Sequence, residues 1–268
     1  MIKTHVIKPA LKKQLPIIVS CPHVGTIIPD DIKATMIEGI AQATEDTDWF
    51  VHELYDFAPE MGITLIKANY SRFVIDLNRD PSGKSLYKDA RRQTAIVPLT
   101  TFEGKQIYKS GDVTAEEVKK RRILYFDPYH GAIHDEVKKL KTLFQHVLFF
   151  DAHSIKRTVK SIRNEPFPDV IVGDNDGATA HAKLTTSAIA SLKKGGLVVS
   201  HNEPFKGGFL TRSQGRPDES IHALQLEMSQ DLYMNESDNS RNLQKEKKIS
   251  GILQNLFQEL NNVLESLI

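Results

Sequence analysis

Two runs of this chain, Ile17-Ile18-Val19-Ser20-Cys21 and Val147-Leu148-Phe149-Phe150, are almost wholly apolar. A strand with one wet face alternates apolar and polar residues; a short run without alternation has to be covered on both faces. Two such runs call for a sheet buried between layers of helix, and the rest of the chain reads that way. Residues 63–68, 73–77, 170–172 and 197–199 are expected as further strands. Residues 30–40 read as a helix capped by Asp30 or Asp31. A second helix opens near Asp46-Thr47-Asp48 and carries Val51, Leu54, Tyr55 and Ala58 at helical spacing, with Gly62 as its stop. Thr114 followed by Glu117 is a helix-start signature. Residues 127–145 present Ile133, Val137 and Leu140 on one face, and a helix is also expected over 179–192. Alternation of strands and helices implies an α/β fold: a mixed, mainly parallel sheet with helices on both faces.

Residues 80–113 lack periodicity and are rich in Pro, Gly, Lys and Ser, the pattern of a long functional loop. Residues 221–228 fit either a strand or a helix; as a strand they put Gln225 and Glu227 on one face and Leu224, Leu226 and Met228 on the other. Residues 1–236 are expected as one domain. Residues 237–268 follow as a polar linker and an amphipathic helix through Ile252, Leu256, Leu260 and Leu264, which either packs on the domain or joins two copies.

Lys and Arg number 35 against 34 Asp and Glu, so the net charge of +1 gives no reason to expect nucleic acid or an anionic membrane as partner. The single cysteine, Cys21, excludes an intrachain disulfide and reads as a packing residue in its apolar strand. The first residues hold no apolar signal core, and no stretch reaches the ~20 apolar residues of a membrane span. A cytoplasmic protein is expected.

Chemistry concentrates at strand ends, where open α/β sheets bind ligands. His23 follows the first apolar run and precedes Gly25, read here as allowing a sharp turn. His153 follows the second run in Asp151-Ala152-His153-Ser154. Either histidine alone would pass for a structural side chain. Two at the ends of central strands can converge on a metal ion, with Asp151 orienting them from behind. A third ligand is sought in Asp46 or Asp48, of which Asp48 is favoured; the bland reading of either is a helix cap. Glu227, between Leu226 and Met228, would be desolvated and suited to general acid–base work, unless the segment is helical and Glu227 merely exposed. Arg72, Arg79 and Arg212 are candidates for gripping substrate carboxylates, the alternative for the first two being internal pairs with Asp76 or Asp80. Arg91 and Arg92 read as solvated surface charge.

Several of these segments also resemble the N-formylglutamate amidohydrolase family. The resemblance runs through SCPHVGTIIP (20–29), DTDWFVHELYDF (46–57), NYSRFVIDLNRDP (69–81), PYHGAIHDEV (128–137), DAHS (151–154) and PFKGGFLTRSQGRPDESIHALQLEMSQDLYMNE (204–236). It implies a phosphorylase/hydrolase-like α/β fold akin to zinc carboxypeptidases, and hydrolysis of N-formyl-L-glutamate to formate and L-glutamate in histidine breakdown. It implies one Zn2+ on His23, Asp48 and His153, with manganese, iron or cobalt as other metals such ligands accept. It casts Glu227 as the catalytic acid/base, Arg72 as a catalytic and substrate contact, and Arg79 and Arg212 as substrate contacts. His130 and His222 lie in matching stretches without an assigned role. Ser213-Gln214 after Arg212, and the loop 173–180, depart from the family pattern. The alternatives are therefore a zinc amidase for another N-acyl amino acid or short peptide, and a carboxylate-binding homologue without turnover.

Overall fold

The computed structural model describes residues 2–43, 45–86 and 95–267. Seven strands form one sheet: β1 (His5–Lys8), β2 (Ile17–Cys21), β3 (Thr64–Ala68), β4 (Val147–Ile155), β5 (Val170–Gly173), β6 (Val199–His201) and β7 (Ile221–Ser229), in the order β1-β3-β2-β4-β7-β5-β6. β3, β2, β4 and β7 run parallel. β1 is antiparallel to β3 at one edge, and β5 is antiparallel to β7 before pairing in parallel with β6. The sheet is therefore mixed and mainly parallel, as the two unalternating runs require.

Pleating sorts the side chains into two cores. Ile17, Val19, Leu148, Phe150, Leu224 and Leu226 point to one face. There they meet α3 (Val51–Leu54), α6 (Ala182–Lys194) and α8 (Leu243–Ser266). Ile18, Phe149 and Ala223 point to the other, towards α1 (Asp30–Lys33), α5 (Asp127–Leu143) and α7 (Phe209–Gln214). Two further helices, α2 (Ile40–Ala43) and α4 (Ala115–Arg121), complete the set, the latter running into α5 through a π-turn at Arg122–Phe126. Each large apolar side chain removed from water in these layers contributes about 2 kcal/mol. Helix α8 supplies Ile249, Leu253, Leu256, Phe257, Leu260 and Leu264 to the first core. Among the described residues no helix is long and apolar enough to cross a membrane.

Some elements differ from expectation. Residues 30–40 form a single turn of helix, not three. Its cap position is Pro29, with no side-chain cap from Asp30 or Asp31. Residues 73–77 are a tight series of turns instead of a strand, because Phe73, Val74 and Ile75 are buried against loops and α5, not laid along a neighbour. The strand expected at 197–199 is shifted to Val199–His201. Residues 235–242, read as a linker, hold the short pair β8 (Met234–Asn235) and β9 (Ser240–Arg241). The Thr114 cap is present, its hydroxyl accepting from Glu117 N, but the helix expected between Asp46 and Gly62 is only the single turn α3, and Gly62, at φ 86°, ends a separate 3-10 turn at Pro59–Met61. Cys21 is fully buried. Of the long loop 80–113, residues 95–113 form isolated bridges only, Thr100 with Gln106 and Met36 with Tyr108. Arg91 and Arg92 lie outside the described residues.

Candidate active site

After β2 the chain turns left in the sheet order to β3, whereas after β4 it crosses to the other side, so a crevice opens between the ends of β2 and β4. His23 lies two residues beyond β2. His153 is further inside its element than expected: β4 runs on through Asp151 and His153 to Ile155, every residue buried. Along β4 the face that carries Phe149 becomes polar at Asp151 and His153. Along β7 the same face carries Ala223, Gln225 and Glu227, with His153 in register beside Glu227. The strand reading of 221–228 holds, and with it the separation of Glu227 from Leu224, Leu226 and Met228.

Asp48 completes the group. Its backbone N–H donates to the His23 carbonyl at 3.0 Å, which fixes one segment against the other. The helix behind it begins at Val51 with Phe50 in the cap position, so Asp48 is not the cap. Its carboxylate lies 3.1 Å from His153 Nδ1 and 3.8 Å from His23 Nδ1. The three residues are buried, and one ligand atom from each falls within 4.8 Å of the others. Asp46 is not part of this group: its Oδ2 accepts from Phe102 N at 2.8 Å. Two imidazole nitrogens and a carboxylate oxygen suit a divalent metal ion of the zinc type.

The opposite edge of each imidazole is held by a second acid. His23 Nε2 lies 2.8 Å from Asp76 Oδ1, and His153 Nε2 lies 3.0 Å from Asp151 Oδ1. Asp76, hydrogen-bonded to His23 Nε2, fixes that ring's tautomer so that its Nδ1 is left with a lone pair for a metal, whereas Asp151 Oδ1 faces His153 Nε2 as an ion-pair neighbour beside Asn78 Nδ2. Burial would lower the His153 pKa, but Asp151 and Asp48 outweigh it and hold it well above the usual value. For His23 burial and the nearby Arg72 prevail over Asp76 and Asp48, and its pKa is lowered. Asp76 is buried too, yet Arg72, Arg79 and His23 hold its carboxyl well below the usual range. The Glu227 pKa is pushed up to about 8, first by desolvation and then by Asp48 and Asp151, against His153 and Arg72. Among the described residues its one side-chain neighbour within hydrogen-bonding range is Gln225 Nε2 at 3.4 Å from Oε2.

The arginines divide. Arg72 takes the internal pairing weighed as the alternative: Nη2 donates to Asp76 Oδ2 at 2.6 Å while the guanidinium rests on the Phe102 ring, 4.6 Å from its centroid. Arg79 Nε stands 3.9 Å from the same Asp76 oxygen. Arg212, on α7, donates to the carbonyls of Gly207 and Leu86. Arg72 and Arg79 thus both reach Asp76, the acid behind His23, with Arg72 in the closer contact.

Sequence reasoning missed Asn78, which ties the site together. Its backbone N–H donates to Asp76 Oδ1 at 2.9 Å, its Oδ1 accepts from Leu210 N at 2.7 Å, and its Nδ2 is 3.0 Å from His153 Nε2 and 3.4 Å from Asp151 Oδ2. Thr211 Oγ1 adds a 3.0 Å bond to Asp151 Oδ2. Gly25 is needed for a different reason from the turn expected. A Cβ there would stand 2.3 Å from the Tyr70 carbonyl, so close backbone approach excludes any side chain. His130 is structural: it reaches the Leu77 carbonyl at 2.9 Å and stacks on Phe126, bracing the turns that carry Asp76 and Asn78. His222 lies at the far end of β7, 3.1 Å from His146.

An open α/β sheet with a buried His-Asp-His group and a lone glutamate at one strand end defines a hydrolase that acts on amide bonds. Comparison with known proteins agrees: residues 15–234 match the N-formylglutamate amidohydrolase family, and the chain belongs to it. It is 38% identical over 228 residues, 83% of this chain and 84% of the relative, to an N-formylglutamate deformylase of Pseudomonas aeruginosa. It is 37% identical, over 84% of each chain, to a protein of the same name from Pseudomonas putida. The crystal structure of an N-formylglutamate amidohydrolase from Ralstonia eutropha superposes with a TM-score of 0.81 at 26% identity, covering 99% of this chain and 98% of that one.

Proposed function

We propose that this chain is a zinc-dependent deformylase that hydrolyses N-formyl-L-glutamate to formate and L-glutamate, a cytoplasmic step of histidine breakdown. The observation that carries the reading is the buried convergence of His23, Asp48 and His153 beside Glu227. His23 and His153 would hold zinc through Nδ1 and Asp48 through its carboxylate. A zinc ion there supplies Lewis acidity, polarising the amide carbonyl and making a water easier to deprotonate. Glu227 takes the proton of the attacking water and returns it to the leaving amine. Its desolvated setting favours the proton-holding form that this second transfer needs. Arg72 donates to the oxygen that gains charge as the carbonyl becomes tetrahedral. Arg79 and Arg212 grip the carboxylates of the glutamate half and so fix the formyl group over the metal group. Asp76, Asp151 and Asn78 hold the ligands in place.

The test is formate release from N-formyl-L-glutamate by zinc-loaded protein, with and without a chelator. Release that the chelator abolishes is expected. Release untouched by complete metal removal would remove zinc from the reading. Cleavage of N-acetyl-L-glutamate but not the formyl compound would move the substrate to another N-acyl amino acid. A protein that binds glutamate derivatives and cleaves none would be a carboxylate-binding homologue.

A further inference from the structure

A cleft of about 390 Å3 opens next to the segments that carry the metal group. Its walls include Thr47 and Ser154, the immediate neighbours of Asp48 and His153. Along β4 the order is informative. Asp151 is held from α7 by Thr211; His153 follows; Ser154, Ile155 and Lys156 then form cleft wall. Arg79 and Arg212, assigned above to the amine half of the substrate, line none of it. Arg72 stands at the boundary, with Nη1 3.4 Å from the Asp46 carbonyl and its guanidinium on Phe102, both cleft residues. An amide laid across the metal group with its amine half towards α7 therefore points its acyl half into this cleft.

The cleft's charge specifies what that acyl half can carry. Two of its acids, Glu45 and Glu103, share Lys105 at 2.7 and 3.2 Å; Asp46 accepts from the Phe102 amide and also feels the charge of Lys156. Lys156 and Lys160 also line it, and among the described residues neither has an ion pair or side-chain hydrogen bond. Lys156 is half-buried, so an anion it meets is only partly screened by water.

Building on the amide hydrolase reading above, we propose that this cleft is an acyl subsite for N-acyl amino acids whose acyl chain ends in a carboxylate, with Lys156 as the residue that selects for that charge. The reaction is the same hydrolysis: water adds its oxygen to the acyl carbon, the C–N bond breaks, and the amine leaves with the proton. The products are a dicarboxylate and a free amino acid.

The experiment compares kcat/KM of the zinc-loaded protein for N-succinyl-L-glutamate, its uncharged counterpart N-butanoyl-L-glutamate, and N-formyl-L-glutamate, in the parent and in Lys156→Ala and Lys156→Gln. The parent should cleave the succinyl compound at least tenfold better than the butanoyl compound. Both variants should lose that preference, chiefly through KM, while near-native thermal melting shows the fold intact. Cleavage of N-formyl-L-glutamate with no cleavage of the succinyl compound would overturn the subsite and leave the deformylase reading standing. Cleavage of the succinyl but not the formyl compound would do the reverse. Inertness to all three would overturn both. An unchanged succinyl-to-butanoyl ratio in the variants would remove Lys156 from the selecting role.

Discussion

β4 and β7 carry histidines at both ends, and the two ends behave in opposite ways. At one, His153 sits beside Glu227 and faces Asp48, with Asp151 behind it. At the other, His146 Nδ1 meets His222 Nε2 at 3.1 Å, the ring planes nearly parallel at 8° and their centroids 5.3 Å apart. There the lone pairs and protons point at each other, and His181 approaches edge-on without an acid. Burial lowers the His222 pKa to about 4, helped by His146, His181 and Lys141, while His153 is held well above its usual value. Clustering of histidines is thus not enough to make a metal site. What distinguishes the working end is a carboxylate behind each ring and a third carboxylate between them.

That contrast can be broken most forcefully at its centre. His153→Ala should abolish stoichiometric metal and with it turnover, weakening metal binding by more than the ~10–100-fold typical of an outer-shell change. Elemental analysis of dialysed protein reads this directly, and full zinc retention would take His153 out of the ligand set. Glu227→Gln comes next, with zinc content unchanged and kcat lower by about 10²–10⁴-fold; parent-like turnover would free Glu227 of the proton-carrying role. Asp76→Asn or Asp151→Asn should weaken zinc about 10–100-fold, because an amide holds the wrong hydrogen-bonding edge to the imidazole. Competition with a chromogenic chelator measures it, and parent-like affinity in both would mean that the backing acids are ornamental.

The smallest effect lies at the other end. His222 is neutral in the fold and takes a proton more readily once unfolded. Stability is therefore complete above pH ~6.5 and falls as pH drops from there towards 4. His222→Gln should flatten that fall by up to about 1.4 kcal/mol per pH unit, the slope of one proton. His52 and His130, lowered to about 4 by burial, leave a residual slope. Urea unfolding between pH 4.5 and 7 tests it; an unchanged slope would mean that the far-end pair does not titrate with folding.

Much of this was open to reading because apolar runs and ligand types are local. Ile17–Cys21 and Val147–Phe150 announce a sandwiched sheet, and His23 and His153 stand where such strands end. Glu227 declared itself by lying between apolar neighbours on a strand. Asp48 is favoured over Asp46 from the residues and again by the resemblance to the amidohydrolase family, although its spacing alone also fits a helix cap. Residues 73–77 misled because buried turns and buried strands have the same composition; only the absence of a pairing neighbour tells them apart. Asn78 stayed hidden for a similar reason. Its importance comes from Asp151, His153 and Leu210, brought from distant parts of the chain, and an asparagine beside an arginine carries no sign of them. Lys156 and Lys160 look like surface charge until the fold places them in the wall of a cleft.

The docking of α7 on Asn78 has a practical consequence. A side chain at Gly208 would collide with the Asn78 amide, a Cβ standing 2.3 Å from Nδ2, and the next two backbone amides both lean on Asn78. The segment that presents Arg212 is thus keyed to the residue that also steadies Asp76, Asp151 and His153. A designer who wished to graft a new recognition loop could not treat 207–214 as a detachable cassette. The graft would have to keep the glycine and the asparagine as a matched lock, and variation would be easier to install across the active site, in the lysine-lined wall after Ser154.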